Sequence, residues 1–216
     1  QKITLKFIII YIAMMVPIFL LWYWNPTLAL IFFVFYSAWH FGQTELNHWG
    51  IENQIFGFLW GLSIFTSLFA CHYEEFSIIL SLLAIELPIL SFPVFNFGIV
   101  LLIPFLIWAI LNKKLDTILI ISFFLLSSTK SLLLTFGLYF IFQHSRIGWK
   151  HLKTKLKHSN IKMFFNALPF NIGAIILFII YYNFLHLNLE LGIVYSFIFL
   201  SAISFPHVIS MHLFYK

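Results

Sequence analysis

Charge is scarce in this chain and cysteine almost absent. Only 9% of the 216 residues are Asp, Glu, Lys or Arg, where a water-soluble domain carries about 25%. Too little polar material remains to cover a surface facing water, which excludes a soluble globular protein. The lone cysteine, Cys71, excludes an intramolecular disulfide and any cysteine-rich zinc or iron–sulfur site. It reads as a packing residue at a helix end. No HExxH, GxSxG, P-loop or GxGxxG segment occurs, which removes the common signatures of proteases, hydrolases and nucleotide binders. The HxxxH and HxxHH clusters of membrane desaturases are missing too. No internal repeat is visible, and many transporters carry one.

What the chain does have is apolar length. Hydrophobic residues make up 62% and aromatics 21%, with 29 phenylalanines. A spanning helix needs about 20 apolar residues. Such stretches are found at 3–23, 27–45, 54–71, 96–111, 115–128, 131–150, 162–183 and 191–215. Asn25-Pro26 closes the first pair in a tight turn. The stretch 76–90 is short, carries Glu86 and Pro88 and precedes Pro93.

Five of the twelve basic residues lie between Lys150 and Lys162. In a membrane protein a short basic loop marks the cytoplasmic side rather than a nucleic-acid surface. Placing Lys2, Lys6, Lys113, Lys114 and this loop inside, and Glu74 and Glu75 outside, requires that 76–90 not cross fully. Lys130 alone then falls on the outer side. The sequence therefore predicts an all-α, polytopic helical membrane protein forming one domain over 1–216. It would have about eight transmembrane helices plus one short re-entrant or interfacial helix. The chain starts at Gln1 and shows no signal peptide, as expected of an N-terminally truncated fragment.

Histidines stand out against this background. His40 in Ser37-Ala38-Trp39-His40-Phe41-Gly42, His144 in Phe142-Gln143-His144-Ser145 and His207 in Phe205-Pro206-His207-Val208 all lie within apolar stretches. Ionisable rings are costly in hydrocarbon and mark functional sites. His40 and His144 each fall 13 residues after their segment's start, and His207 falls 16 after. In the inferred topology that rise of about 20–24 Å brings all three to one layer. Neutral imidazoles suit iron, copper, zinc or nickel without adding carboxylate charge, so a shared metal site outweighs three separate packing histidines.

His151 lies two turns beyond His144, about 10 Å of rise, and would need a distorted helix to reach the same ion. His48, His72, His158, His186 and His212 read as solvated residues at helix ends or in loops, with His48 and His212 the nearer to the inferred cytoplasmic layer. A metal-bound ring wants an acceptor for its other N–H; Gln43, Glu45 and Gln143 are candidates, as is the carbonyl that Pro206 frees at position 202. Aromatics crowd the histidines, Trp39 and Tyr139 among them, as a lining for a long apolar ligand. Ser145 beside His144 cannot form a Ser–His pair on one helix without strain.

These residues resemble the Brp/Blh-type β-carotene 15,15′-dioxygenases, membrane enzymes found with microbial rhodopsins. The likeness rests on Ala38-Trp39-His40-Phe41-Gly42-Gln43-Thr44-Glu45 and on Phe136-Gly137-Leu138-Tyr139-Phe140-Ile141-Phe142-Gln143-His144-Ser145-Arg146. Phe205-Pro206-His207 extends it. The resemblance implies a bacterial inner-membrane enzyme that uses Fe(2+) and O2 to cleave β-carotene centrally into two retinal molecules. Retinal would be delivered to a rhodopsin. His40 and His144 match iron-ligand histidines of the family, and His207 matches its Pro-His segment. Two departures stand out. The family's PHGxxDH segment would precede Gln1, and Gly148 stands where a further histidine is usual, leaving His151 as the nearest substitute. Competing readings are another His-ligated membrane metalloenzyme (haem-binding or hydroxylating) and a transporter or proton-relay bundle.

Overall fold

The computed structural model describes residues 5–51, 53–86, 94–127, 130–184 and 189–215. Among the described residues regular structure is entirely helical: α1 (Leu5–Trp24), α2 (Pro26–His48), α3 (Gln54–Cys71), α4 (Tyr73–Leu82), α5 (Val94–Leu111), α6 (Leu115–Leu126), α7 (Leu132–Tyr139), α8 (Arg146–Leu156), α9 (Asn160–Phe184) and α10 (Leu189–Tyr215). A π-helical segment, Phe140–Ser145, joins α7 to α8.

Among the described residues, four stretches are long and apolar enough to cross a bilayer: Lys6–Trp24, Gln54–Cys71, Asn160–Asn183 and Leu191–Leu213. Gly98–Leu111 and Leu115–Leu126 are apolar but shorter. The expected eight crossings are therefore not reproduced by helix length and composition. The physical reason differs by segment. In α2 the second half carries His40, Gln43, Glu45 and His48, which dilutes its apolar run. The stretch 131–150 is divided among α7, the π segment and the basic α8. The short segment at 76–90 begins within the ten-residue α4 and turns at left-handed Ala84 (φ 56°); its end at 87–90 lies outside the described residues, as does His186.

The chain divides into two compact units, residues 1–36 with 152–216, and residues 37–151. In the first, α1 packs on α10, which also meets α9. Polar side chains stitch these apolar helices together, the usual glue where lipid offers no hydrophobic driving force. Trp22 donates its indole N–H to Ser201 Oγ (2.7 Å), Tyr36 its hydroxyl to the Ser201 carbonyl (2.6 Å), and Tyr11 its hydroxyl to the Ile203 carbonyl (2.8 Å). These contacts lie in the turn before Pro206, whose missing N–H interrupts the α10 ladder.

The second unit is built by close backbone approach. A Cβ on Gly42 would sit 1.7 Å from the Gly57 carbonyl oxygen, and one on Gly61 would sit 1.9 Å from that of Ala38. Ala38-x3-Gly42 on α2 thus faces Gly57-x3-Gly61 on α3, small residues on both sides letting the helices touch. On the other side of α3, Ser67 Oγ donates to the Gly98 carbonyl of α5 (2.7 Å). His72 corrects the sequence reading. It is buried, with Nδ1 2.8 Å from the Leu68 carbonyl and Nε2 near both the Ser127 carbonyl (3.1 Å) and Thr135 Oγ1 (3.2 Å). A ring at a helix end that ties three segments together is a structural residue.

Candidate metal centre

Within the second unit the fold brings His40 and His144 together. Their ring centroids are 5.1 Å apart and their planes are inclined at 70°. Both residues are buried. An imidazole nitrogen bonded to a metal at about 2.1 Å leaves its ring centroid roughly 3.2 Å from the ion, so two adjacent ligands have centroids about 4.5–5.2 Å apart. That separation is compatible with two neighbouring positions on one ion, as it is with edge-to-face packing of the two rings. No group of three or more His, Cys, Asp or Glu able to hold a metal is present among the described residues.

Local structure explains how the rings are held. Gly42 is where α2 and α3 meet most closely, so the helix face carrying it is fixed two residues from His40. Phe41 stacks on the His144 ring at 3.8 Å and 14°, and also lies 6.0 Å from Tyr139 and 6.1 Å from Phe140. His144 itself sits in the π segment. Hydrogen bonding from i to i+5 widens that turn, a feature often found at functional sites. Here it lets Tyr139, Phe140 and His144 share one face against Phe41.

Glu45 is completely buried. It accepts from the Tyr139 hydroxyl at Oε1 (2.6 Å) and from the Trp60 indole N–H at Oε2 (2.9 Å). This three-way link joins α2, α3 and α7, and a carboxyl in such a setting requires both donors to offset its desolvation. Glu45 comes five residues after His40 and Tyr139 five before His144, so the link braces the two helices that carry the pair.

This chain belongs to the β-carotene 15,15′-dioxygenase family.

It matches the family described as Beta-carotene 15,15'-dioxygenase over residues 1–215, which includes the segments holding His40, His144 and His207. Neither a curated protein nor a solved structure matches the chain. The other sequence-predicted residues fall in distinct places. Gln43 donates its amide to the Gln54 carbonyl (2.8 Å), tying α2 to the start of α3. The Oε1 of Gln143 accepts from Arg146 (3.5 Å) while its Nε2 is buried without a partner. Trp39 is half-buried beside His40. His207 is exposed on α10 in the first unit.

His151 is paired with His48, their rings 5.8 Å apart. Both pKa values are pushed below the usual 6.5, first by burial. Lys150 adds to both, while Arg146 and Lys114 lower His48 further and Asp116 opposes them. Sequence reasoning missed Trp60 as a partner of Glu45, Phe41 as the support of His144 and His48 as the neighbour of His151. Only for Phe41, adjacent to His40, did position give a signal.

Proposed function

We propose that this chain cleaves the central 15,15′ double bond of β-carotene with O2 to give two molecules of retinal, with His40 and His144 as two ligands of a non-haem iron. The observation that carries the reading is the buried His40–His144 pair, rings 5.1 Å apart, in a chain of this family. Bound iron would supply the reaction with O2, chemistry that belongs to the cofactor.

The chain's own residues orient and exclude. Phe41 fixes the plane of His144, and the Glu45–Tyr139–Trp60 link fixes the spacing of the helices. Phe41, Phe65, Phe136 and Phe140 form a connected aromatic cluster beside His144, which keeps water away and suits a polyene. A long hydrocarbon gains about 0.8 kcal/mol per CH2 by leaving water, so its cleavage belongs in the bilayer.

Expression in β-carotene-producing cells tests this. Loss of carotene with formation of retinal supports it; unchanged carotene beside folded, iron-loaded protein refutes it. A haem protein would instead show a Soret band.

A further inference from the structure

Outside the histidine pair, a cavity of about 380 Å³ opens between α6 and the run from α7 through the π segment to α8. Its volume is near the small end of the roughly 300–1,000 Å³ typical of ligand sites. Leu119, Ile120 and Phe123 of α6 and Leu138 and Phe142 opposite make it mainly apolar. Asp116 is on the same face of α6, one turn earlier, and Gln143 and Arg146 close the cavity across from it.

Two observations say what would fill it. The first is the Gln143 amide. Its Oε1 accepts weakly from Arg146 at 3.5 Å, and its buried Nε2 has no acceptor. An amide donor left in that condition keeps its desolvation penalty with no bond to offset it. A half-turn about the soft terminal torsion of Gln143 would exchange its oxygen and nitrogen, give up the long Arg146 contact, and leave the Gln143 and Arg146 N–H groups both able to donate to an oxygen in the cavity. The second is charge. Arg146 and Asp116 line the cavity together, so their charges offset one another. A neutral acceptor fits that balance, whereas a phosphate would meet the Asp116 carboxylate.

We propose that this cavity holds the aldehyde product, its polyene along α6 and its carbonyl oxygen accepting from Gln143 and Arg146. The assignment rests on the carotene-cleavage reading above. It gives retinal a station next to the cleavage site: Gln143 immediately precedes His144, and Tyr139, which also lines the cavity, is bonded to Glu45.

Retinal binding to the full chain in phosphatidylcholine nanodiscs, read by quenching of tryptophan fluorescence, tests the proposal without turnover. Gln143→Leu should weaken retinal binding about tenfold, the scale of one lost hydrogen bond. It should leave unchanged the binding of a polyene hydrocarbon lacking the carbonyl. Leu119→Phe narrows the cavity from an exposed position on α6 without adding a tryptophan and leaves the polar end intact; it should weaken both ligands. Wild-type affinity for retinal in either folded variant overturns the proposal. So does equal loss of the two ligands in Gln143→Leu, or displacement of retinal when anionic phosphatidylglycerol replaces phosphatidylcholine, which would assign the cavity to a lipid headgroup. A chain that binds retinal in this pattern yet never cleaves carotene refutes the enzymatic reading alone. A chain that cleaves carotene while both variants bind retinal normally refutes this one alone.

Discussion

Helices α9 and α3 are both apolar enough to cross a bilayer, yet 6% of the apolar stretch of α9 is buried against 56% of that of α3. Small side chains at the helix contacts contribute to the difference. Around α9, Phe164, Phe165, Ile172, Ile175, Ile176 and Ile179 are all exposed. A helix that is apolar all round needs an apolar solvent, and lipid is the one available. Along α3, Gly57, Gly61, Ser63, Ser67 and Ala70 are buried and let neighbouring backbones come close. Two uses of greasy sequence follow: α9 supplies surface for lipid, and α3 supplies the scaffold on which the His40–His144 pair is built.

The sharpest break in that comparison is chemical. His40→Ala and His144→Ala should each lower retinal formation by more than about 100-fold, beyond what is usual for residues that merely support metal ligands, with the helical circular-dichroism spectrum unchanged. Next in size are Gly42→Ala and Gly61→Ala. Their methyl groups would collide with backbone, so thermal unfolding in detergent should report a loss of about 1–3 kcal/mol or more. Tyr139→Phe removes one donor from the buried Glu45 carboxyl and should cost about 1–3 kcal/mol, together with a fall in cleavage rate if the link spaces the pair. Full stability in that variant would remove the link from the account.

The fourth effect is a modest pH dependence. His48 and His151 bind protons less readily folded than unfolded, so stability is flat above about pH 7. It should decline as pH falls through the unfolded value near 6.5 towards the lowered folded values. The double variant His48→Gln, His151→Gln should flatten that decline in melting curves recorded between pH 7 and pH 5. Smallest of all is Gly173→Ala on α9. Nothing lies within 4 Å of the added carbon, so stability should stay level or rise by up to about 1 kcal/mol from helix propensity. A large loss there would show that α9 is covered after all.

Membrane class was legible because a shortage of charge is a bulk property that no fold can hide. The closeness of His40 and His144 was legible because ionisable rings in apolar stretches are rare enough to notice singly. The Glu45–Trp60 bond was not, since Trp60 looks like any other interfacial or packing tryptophan until α3 is laid against α2. His72 misled for the opposite reason. A position at a helix end suggests solvent, but the chain turns directly into α4 and the Ser127 carbonyl and Thr135 close over the ring. The number of crossings was less legible, because an apolar window ignores interruptions such as the π segment within 131–150, and helix length and composition support four among the described residues.

That segment also alters how spacing along the chain should be counted. Ordinary helical arithmetic treats the seven residues from His144 to His151 as two turns on one face. A π turn ending at Ser145 inserts a phase slip, so the residues before Phe140 and those after Ser145 follow two separate clocks. Deleting Ile141, an exposed residue inside it, would take up that slip and leave the residues after Ser145 near their present phase. Were the segment instead to close as regular α-helix with all six residues kept, His144 would swing by nearly one residue's 100° around the helix axis, away from Phe41 and His40, with every side chain of the original pair still encoded.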